Sequence, residues 1–204
     1  MTDYPVSLAV EDFVPVALTA FGVAMLRHRH PLVLPAAVLV VSGGFAKATW
    51  KLIVALDGPD IQWMYHALFP LLATGFTLLV FALTRGRWRA ALPVPLAAAL
   101  AASAALSDTW PAMVWTIAAV TAVAVLLALD ARRRGDPLAA SLFALWLGGQ
   151  YLLGPMAARA EQTIALQWVE QACNTVTQAA FAFAAWRLGR AADANKEKEE
   201  AVPA

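Results

Sequence analysis

Residues 85–110 read RGRWRAALPVPLAAALAASAALSDTW, and the fold turns on whether 90–106 within them forms a membrane helix. The stretch is apolar but short, and Pro93 and Pro95 stand near its start. Without this helix the chain crosses a bilayer six times and its two ends share a side. With it, there are seven crossings and the ends lie on opposite sides. The basic residues decide between these. Arg27, His28, Arg29 and His30 occupy the first connection, Arg85, Arg87 and Arg89 the third, and Arg132, Arg133 and Arg134 the fifth. Arg187, Arg190, Lys196 and Lys198 follow the last apolar run. The intervening connections hold Asp57 and Asp60, then Asp108, then Arg159 and Glu161, so only Arg159 breaks the alternation. Lysine and arginine are retained on the cytoplasmic side. The pattern therefore predicts seven helices, with the amino terminus outside and the carboxyl terminus in the cytoplasm.

Composition supports a membrane assignment. The 204 residues are 61% hydrophobic and only 14% charged, with a net charge of +1 and a mean hydropathy of +0.63. A soluble domain carries nearly twice that charged fraction. Apolar runs of about 20 residues match the thickness of the hydrocarbon layer. The predicted helices are 12–26 (extended by Val10 and Glu11), 31–56, 61–83, 90–106, 111–129, 137–158 and 163–188. Residues 1–190 form one seven-helix bundle, and 191–204 read as a polar, poorly ordered cytoplasmic tail. Trp50, Trp63, Trp110 and Trp168 fall near outer helix ends and Trp88 and Trp186 near inner ends, where indole rings prefer to lie. The amino terminus lacks the basic region of a cleaved signal peptide. The single cysteine, Cys173, excludes an intramolecular disulfide and reads as a packing residue. The Ala- and Arg-rich composition suggests a bacterial inner membrane.

Shifting the chain by 105 positions overlays the first three helices on the last three. Gln62-Trp63 falls on Gln167-Trp168, Gly43-Gly44 on Gly148-Gly149, Phe76 on Phe181, and Arg27 and Arg29 on Arg132 and Arg134. This suggests a parallel three-plus-one-plus-three repeat with the fourth helix as connector, an arrangement that places a binding site where the halves meet. The organisation resembles that of SWEET-type sugar transporters, and in helix number and orientation it is similar to the opsins. The resemblance stops there. No Pro-Gln motif occurs at the matching places, and the seventh helix has no lysine to carry a retinal linkage.

The seventh helix is the richest in chemistry. Gln167, Glu170, Gln171, Asn174 and Gln178 recur every three or four residues, so they share one stripe. A stripe that includes a carboxylate must face the bundle interior or a wet cavity. An interhelical hydrogen-bond seam is the plainer alternative. On the second helix, Lys47 and Lys51 share a face. Lys47 lies about 24 Å along a span of about 30 Å. Glu170 sits at a similar depth, so a Lys47–Glu170 pair is expected, with Lys51 snorkelling to the headgroups. His66, Gln150 and Tyr151 would stand beside this site. Glu11 and Asp12 form an acidic pair at the outer mouth, near Lys51, as ordinary interfacial charge, to attract a cation, or paired with that lysine. Pro15 and Pro70 are expected to kink their helices in the outer half, and Pro155 to bend the sixth.

No paired histidines suggest haem, and no zinc-protease, nucleophile-elbow or phosphate-loop motif occurs. No cofactor or metal is expected, and the arginines need no nucleic acid to explain them. The expected partners are the lipid bilayer and a small polar or amphiphilic ligand, with homo-oligomerisation left open. A small-molecule binding or transport protein is the leading function. The alternatives are a seven-helix receptor, an intramembrane enzyme using Glu170 as acid or base on a lipid-like substrate, and a structural subunit of a membrane complex.

Overall fold

A computed structural model describes residues 5–157 and 163–200. The regular structure among them is entirely helical. The elements are α1 (Val6–Glu11), α2 (Phe13–Met25), α3 (Val33–Ala55), α4 (Gln62–His66), α5 (Leu68–Leu83), a 3-10 turn (Arg87–Ala91), α6 (Pro93–Leu106), α7 (Trp110–Arg133), α8 (Pro137–Ala157) and α9 (Ile164–Glu200). The loop carrying Arg159 and Glu161 and the side chain of Pro155 lie outside the described residues.

Two joints have a direct sequence cause. Pro15 has no amide to offer the carbonyl of Glu11, and its ring crowds that oxygen. The helix accordingly resets at Asp12, between α1 and α2, with the backbone still close to helical. Pro70 does the same to the carbonyl of His66, and the reset falls at Ala67, between α4 and α5. Each proline thus coincides with a break in the helix, and the two helices on either side run on as one rod. Pro93 stands in the first turn of α6, where a missing amide costs no internal hydrogen bond.

The rods Val6–Met25, Val33–Ala55, Gln62–Leu83, Arg87–Leu106 and Trp110–Arg133 are long and apolar enough to cross a membrane. The disputed fourth helix is among them. In α8 the apolar run Pro137–Leu153 is shorter. Large apolar side chains cover the outside of the bundle, with Val38 63%, Phe45 55%, Leu145 53% and Val176 62% exposed. Such a surface would associate in water but suits hydrocarbon. The chain is a multi-pass helical membrane protein.

The neighbours close into a ring. The first rod packs on α3, α3 on α5, α5 on α7, α7 on α8, α8 on α9, and α9 returns to α2. α6 stands outside, mainly against α7. Glycines set the closest approaches. A methyl on Gly75 would lie 3.0 Å from the Ala36 carbonyl and 2.7 Å from Val40, so only hydrogen lets α5 meet α3 there.

The ends of the bundle are chemically distinct. At one, Lys51 meets Asp12 at 2.7 Å and the Trp50 indole donates to Asp60 at 2.7 Å. At the other, Asp130 receives Arg29 at 2.5 Å and Arg134 at 2.9 Å. Asp136 accepts from Arg187 at 2.9 and 3.2 Å, and from the Ala139 amide at 3.0 Å as the opening cap of α8. Three boundaries differ from the sequence expectation. The first rod starts at Val6, so Asp12 lies inside it rather than at its mouth. α7 continues to Arg133, which the Asp130–Arg134 pair, four residues apart, favours. α9 carries helical backbone into the expected polar tail as far as Glu200.

Two glycines of one helix-forming type should respond oppositely to alanine. Gly75→Ala forces backbone apart and is expected to cost about 1–3 kcal/mol. Gly148→Ala, with nothing within 4 Å of its added methyl, should gain about 0.5–1 kcal/mol. Thermal unfolding of the two variants in detergent checks the opposed signs. At the arginine-rich end, the Arg187 hydrogen bonds hold the Asp136 carboxyl below its ordinary value, against the opposing effect of partial burial. A depressed carboxyl stabilises the fold above its unfolded pKa and loses that contribution as pH falls through the folded value. Stability should therefore fall on acidification below about pH 4, and Asp136→Asn should flatten that part of the profile.

Candidate functional site

The ring encloses a cavity of about 610 Å³ in the half away from the arginine-rich end. Every ring rod contributes to its wall, and α6 does not. The Pro15 reset helps to make the site: it carries Asp12 and Pro15 onto the cavity wall beside Val16 and Thr19. Leu68, Phe69, Leu72, Met113 and Ile117 supply an apolar side. Lys47, Lys51, Gln150, Glu170, Gln171 and Asn174 supply polar groups.

The floor is aromatic and hydrogen-bonded. Trp146 is 1% exposed. Its ring lies 4.4 Å from that of Phe181 and 6.4 Å from that of Phe76, centroid to centroid. Its indole N–H donates to Gln178 Oε1 at 3.2 Å. The Thr19 hydroxyl lies 3.0 Å from the same oxygen and 2.8 Å from the Pro15 carbonyl. Gln178 Nε2 donates onward to Asn174 Oδ1 at 3.4 Å. The lower part of the stripe is therefore a satisfied seam joining α2, α8 and α9.

Higher up, two buried amide nitrogens lack an acceptor among the described residues. Gln171 is 6% exposed, and its Nε2 is buried with no acceptor among the described residues. Gln150 Nε2 is in the same position. The Lys47 ammonium lies 5.7 Å from the centre of the Tyr65 ring, which in turn packs 4.9 Å from Trp50. No carboxylate of the described residues lies within 4.0 Å of Lys47.

The expected Lys47–Glu170 pair is not formed. Both residues line the cavity, but α2 stands between α3 and α9 in the ring. The acid brought to the lysine face is Asp12, and it pairs with Lys51. Lys51 is thus held in an ion pair with its side chain 26% exposed. Of the other residues singled out in the sequence, Gln150, Tyr151, Glu170, Gln171, Asn174 and Gln178 lie on the cavity wall, and Glu11, His66 and Gln167 lie outside it. Glu11 accepts from the Thr175 hydroxyl at 2.7 Å, tying α1 to α9. His66, at the exposed end of α4, packs edge-on to Tyr65 at 5.3 Å. Gln167 sits in the first turn of α9. Tyr151 is 54% exposed and its hydroxyl lies 2.9 Å from that of Thr121, linking α8 to α7.

Sequence reasoning missed Thr19, Thr121 and Trp146. Trp146 carried a usable signal. It lies in mid-helix, away from the interfacial positions that account for most tryptophans here, so its N–H had to find a partner inside the bundle. Comparison with family models, curated proteins and solved structures finds no match to this chain.

The seam and the open donors predict opposite effects of one substitution on one helix face. Gln171→Leu removes a buried amide that lacks an acceptor, and should raise the stability of the ligand-free protein by about 1 kcal/mol or more. Gln178→Leu strands the Trp146 N–H, and should lower stability by about 1–3 kcal/mol. Paired unfolding curves decide it. A loss in both variants would mean that Gln171 is already satisfied.

Proposed function

We propose that this chain is a seven-span plasma-membrane protein, amino terminus outside, that binds a small amphiphilic molecule in the outer-half cavity and carries it across the bilayer. The observation behind this reading is a sizeable cavity whose buried donors lack acceptors. Protein interiors are close-packed and their polar groups paired. A subunit built only for packing would fill such a volume and pair such amides. The cavity volume lies in the range of small-molecule sites, which combine apolar walls with a few placed polar groups. Lys47, Gln150 and Gln171 suit a carboxylate or carbonyl head, and Phe69, Met113 and Ile117 suit an apolar body.

The helix order supports the parallel repeat and, through it, transport. The first three rods and α7, α8 and α9 occupy equivalent positions in the ring, with α6 outside as the connector. Phe76 and Phe181, 105 residues apart, flank Trp146 from two sides. Arg29 and Arg134, at the same separation, converge on Asp130. Repeats that meet at a central site can rock against each other and expose it to each side in turn. On this reading the Trp146–Phe181 contact would be the gate on the cytoplasmic side.

Ligand binding is tested by thermal stability of the purified protein with amphiphilic carboxylic acids, their methyl esters and matched amines. An acid at a hundred times its Kd should stabilise wild type by about 2.7 kcal/mol, and should lose most of that effect on Lys47→Met. Uptake of that acid into protein-containing vesicles should exceed the rate of empty ones. Stabilisation without uptake would move the assignment to a receptor. No stabilisation by any compound class would remove the binding reading.

A further inference from the structure

A second cavity, of about 530 Å³, opens at the arginine-rich end between the ends of α5 and α7, beside the turn that leads into α6. Arg29, Arg85, Arg133 and Arg134 line it, against a single carboxylate, Asp130. Asp130 is shared between Arg29 and Arg134. Arg85 and Arg133 have no acidic partner within 4.0 Å among the described residues. Arg29, with its side chain 16% exposed, keeps a buried Nε with no acceptor. Four cations and one anion thus surround one space.

The cytoplasmic preference of arginine accounts for the side on which these residues lie. It does not account for their convergence. Arg27, Arg87 and Arg132 belong to the same end of the bundle, and none of them lines the cavity. Like charges gathered around a cleft repel one another, and an anion between them reverses the sign of that interaction. Guanidinium groups match phosphate oxygens with paired N–H donors. Apart from Thr84, the rest of the wall is apolar, with Leu126, Leu129 and the exposed indole of Trp88.

We infer that this cleft binds a phosphate-bearing anion, with the arginines on the phosphate and the leucine wall against whatever apolar chain it carries. That chemistry is shared by the headgroup of an anionic phospholipid and by a soluble phosphate compound. Basic pockets between membrane helices at the cytoplasmic face take lipid headgroups in this way. The site is separate from the outer-half cavity and does not depend on what that cavity binds.

The test uses the full chain in neutral detergent, titrated with phosphatidylglycerol, with phosphatidylcholine and with inorganic phosphate, and followed by thermal unfolding. Wild type is compared with Arg85→Gln/Arg133→Gln, which leaves both Asp130 ion pairs in place. Arg87→Gln/Arg132→Gln is the control, since it removes the same charge from exposed positions outside the cleft. Phosphatidylglycerol should raise the unfolding midpoint saturably, and phosphatidylcholine should not. The cleft variant should need about 25-fold more lipid, about fivefold for each arginine removed, while the control stays near wild type. Saturation by inorganic phosphate at comparable concentration, lost in the same variant, would support the site with a soluble phosphate as its ligand. The inference is overturned if neither phosphatidylglycerol nor phosphate shifts the midpoint, or if the control pair loses as much as the cleft pair.

Discussion

A polar side chain in hydrocarbon must find a partner or a wet interior, and α9 carries a column of them. Glu170, Gln171, Asn174 and Gln178 recur on one face of α9, and all four line the cavity. That face can only turn inward. The ring closes around it: α2 and α8 flank α9, and the other rods complete the wall. The lower amides are paired through Trp146 and Thr19 and seal the floor. The upper ones border open space.

The two halves of the bundle solve different problems. The half with the arginines is packed with Val23, Leu26, Leu79, Val123, Leu127 and Leu188, all close to fully buried. Its ends are tied by Arg–Asp pairs that join the first connection to α7 and the fifth connection to α9. The other half gives up packing. Pro15 and Pro70 break their helices there, and a lysine and two glutamines face a void. Groups left unsatisfied in an otherwise consistent fold mark the places where stability yields to function.

Electrostatics divides along the same line. The larger cavity balances two lysines against two acids. The cleft at the arginine-rich end gathers four arginines around one aspartate. The first presents directed donors within a mainly apolar enclosure, the second a concentration of positive charge.

The helices, the cavity-facing stripe of α9 and the helix breaks near Pro15 and Pro70 were legible in the sequence. Each follows from local chemistry: apolar length, a helical period, and a missing amide acting on the carbonyl four residues back. Partner choice was legible only in part: pairing of the outer acids with Lys51 was one reading among others, and the Lys47–Glu170 pair was expected but does not form. Asp12 rather than Glu170 meets the lysine face because α2 lies between α3 and α9, and neighbour order is a property of the whole ring. For the same reason His66 and Gln167 lie off the cavity wall, while Thr19 and Trp146 form its floor. Period and polarity determine which face a helix turns inward. Only the packing of the rods decides what stands opposite that face, because contacts across a bundle depend on rotation and order that no single segment encodes.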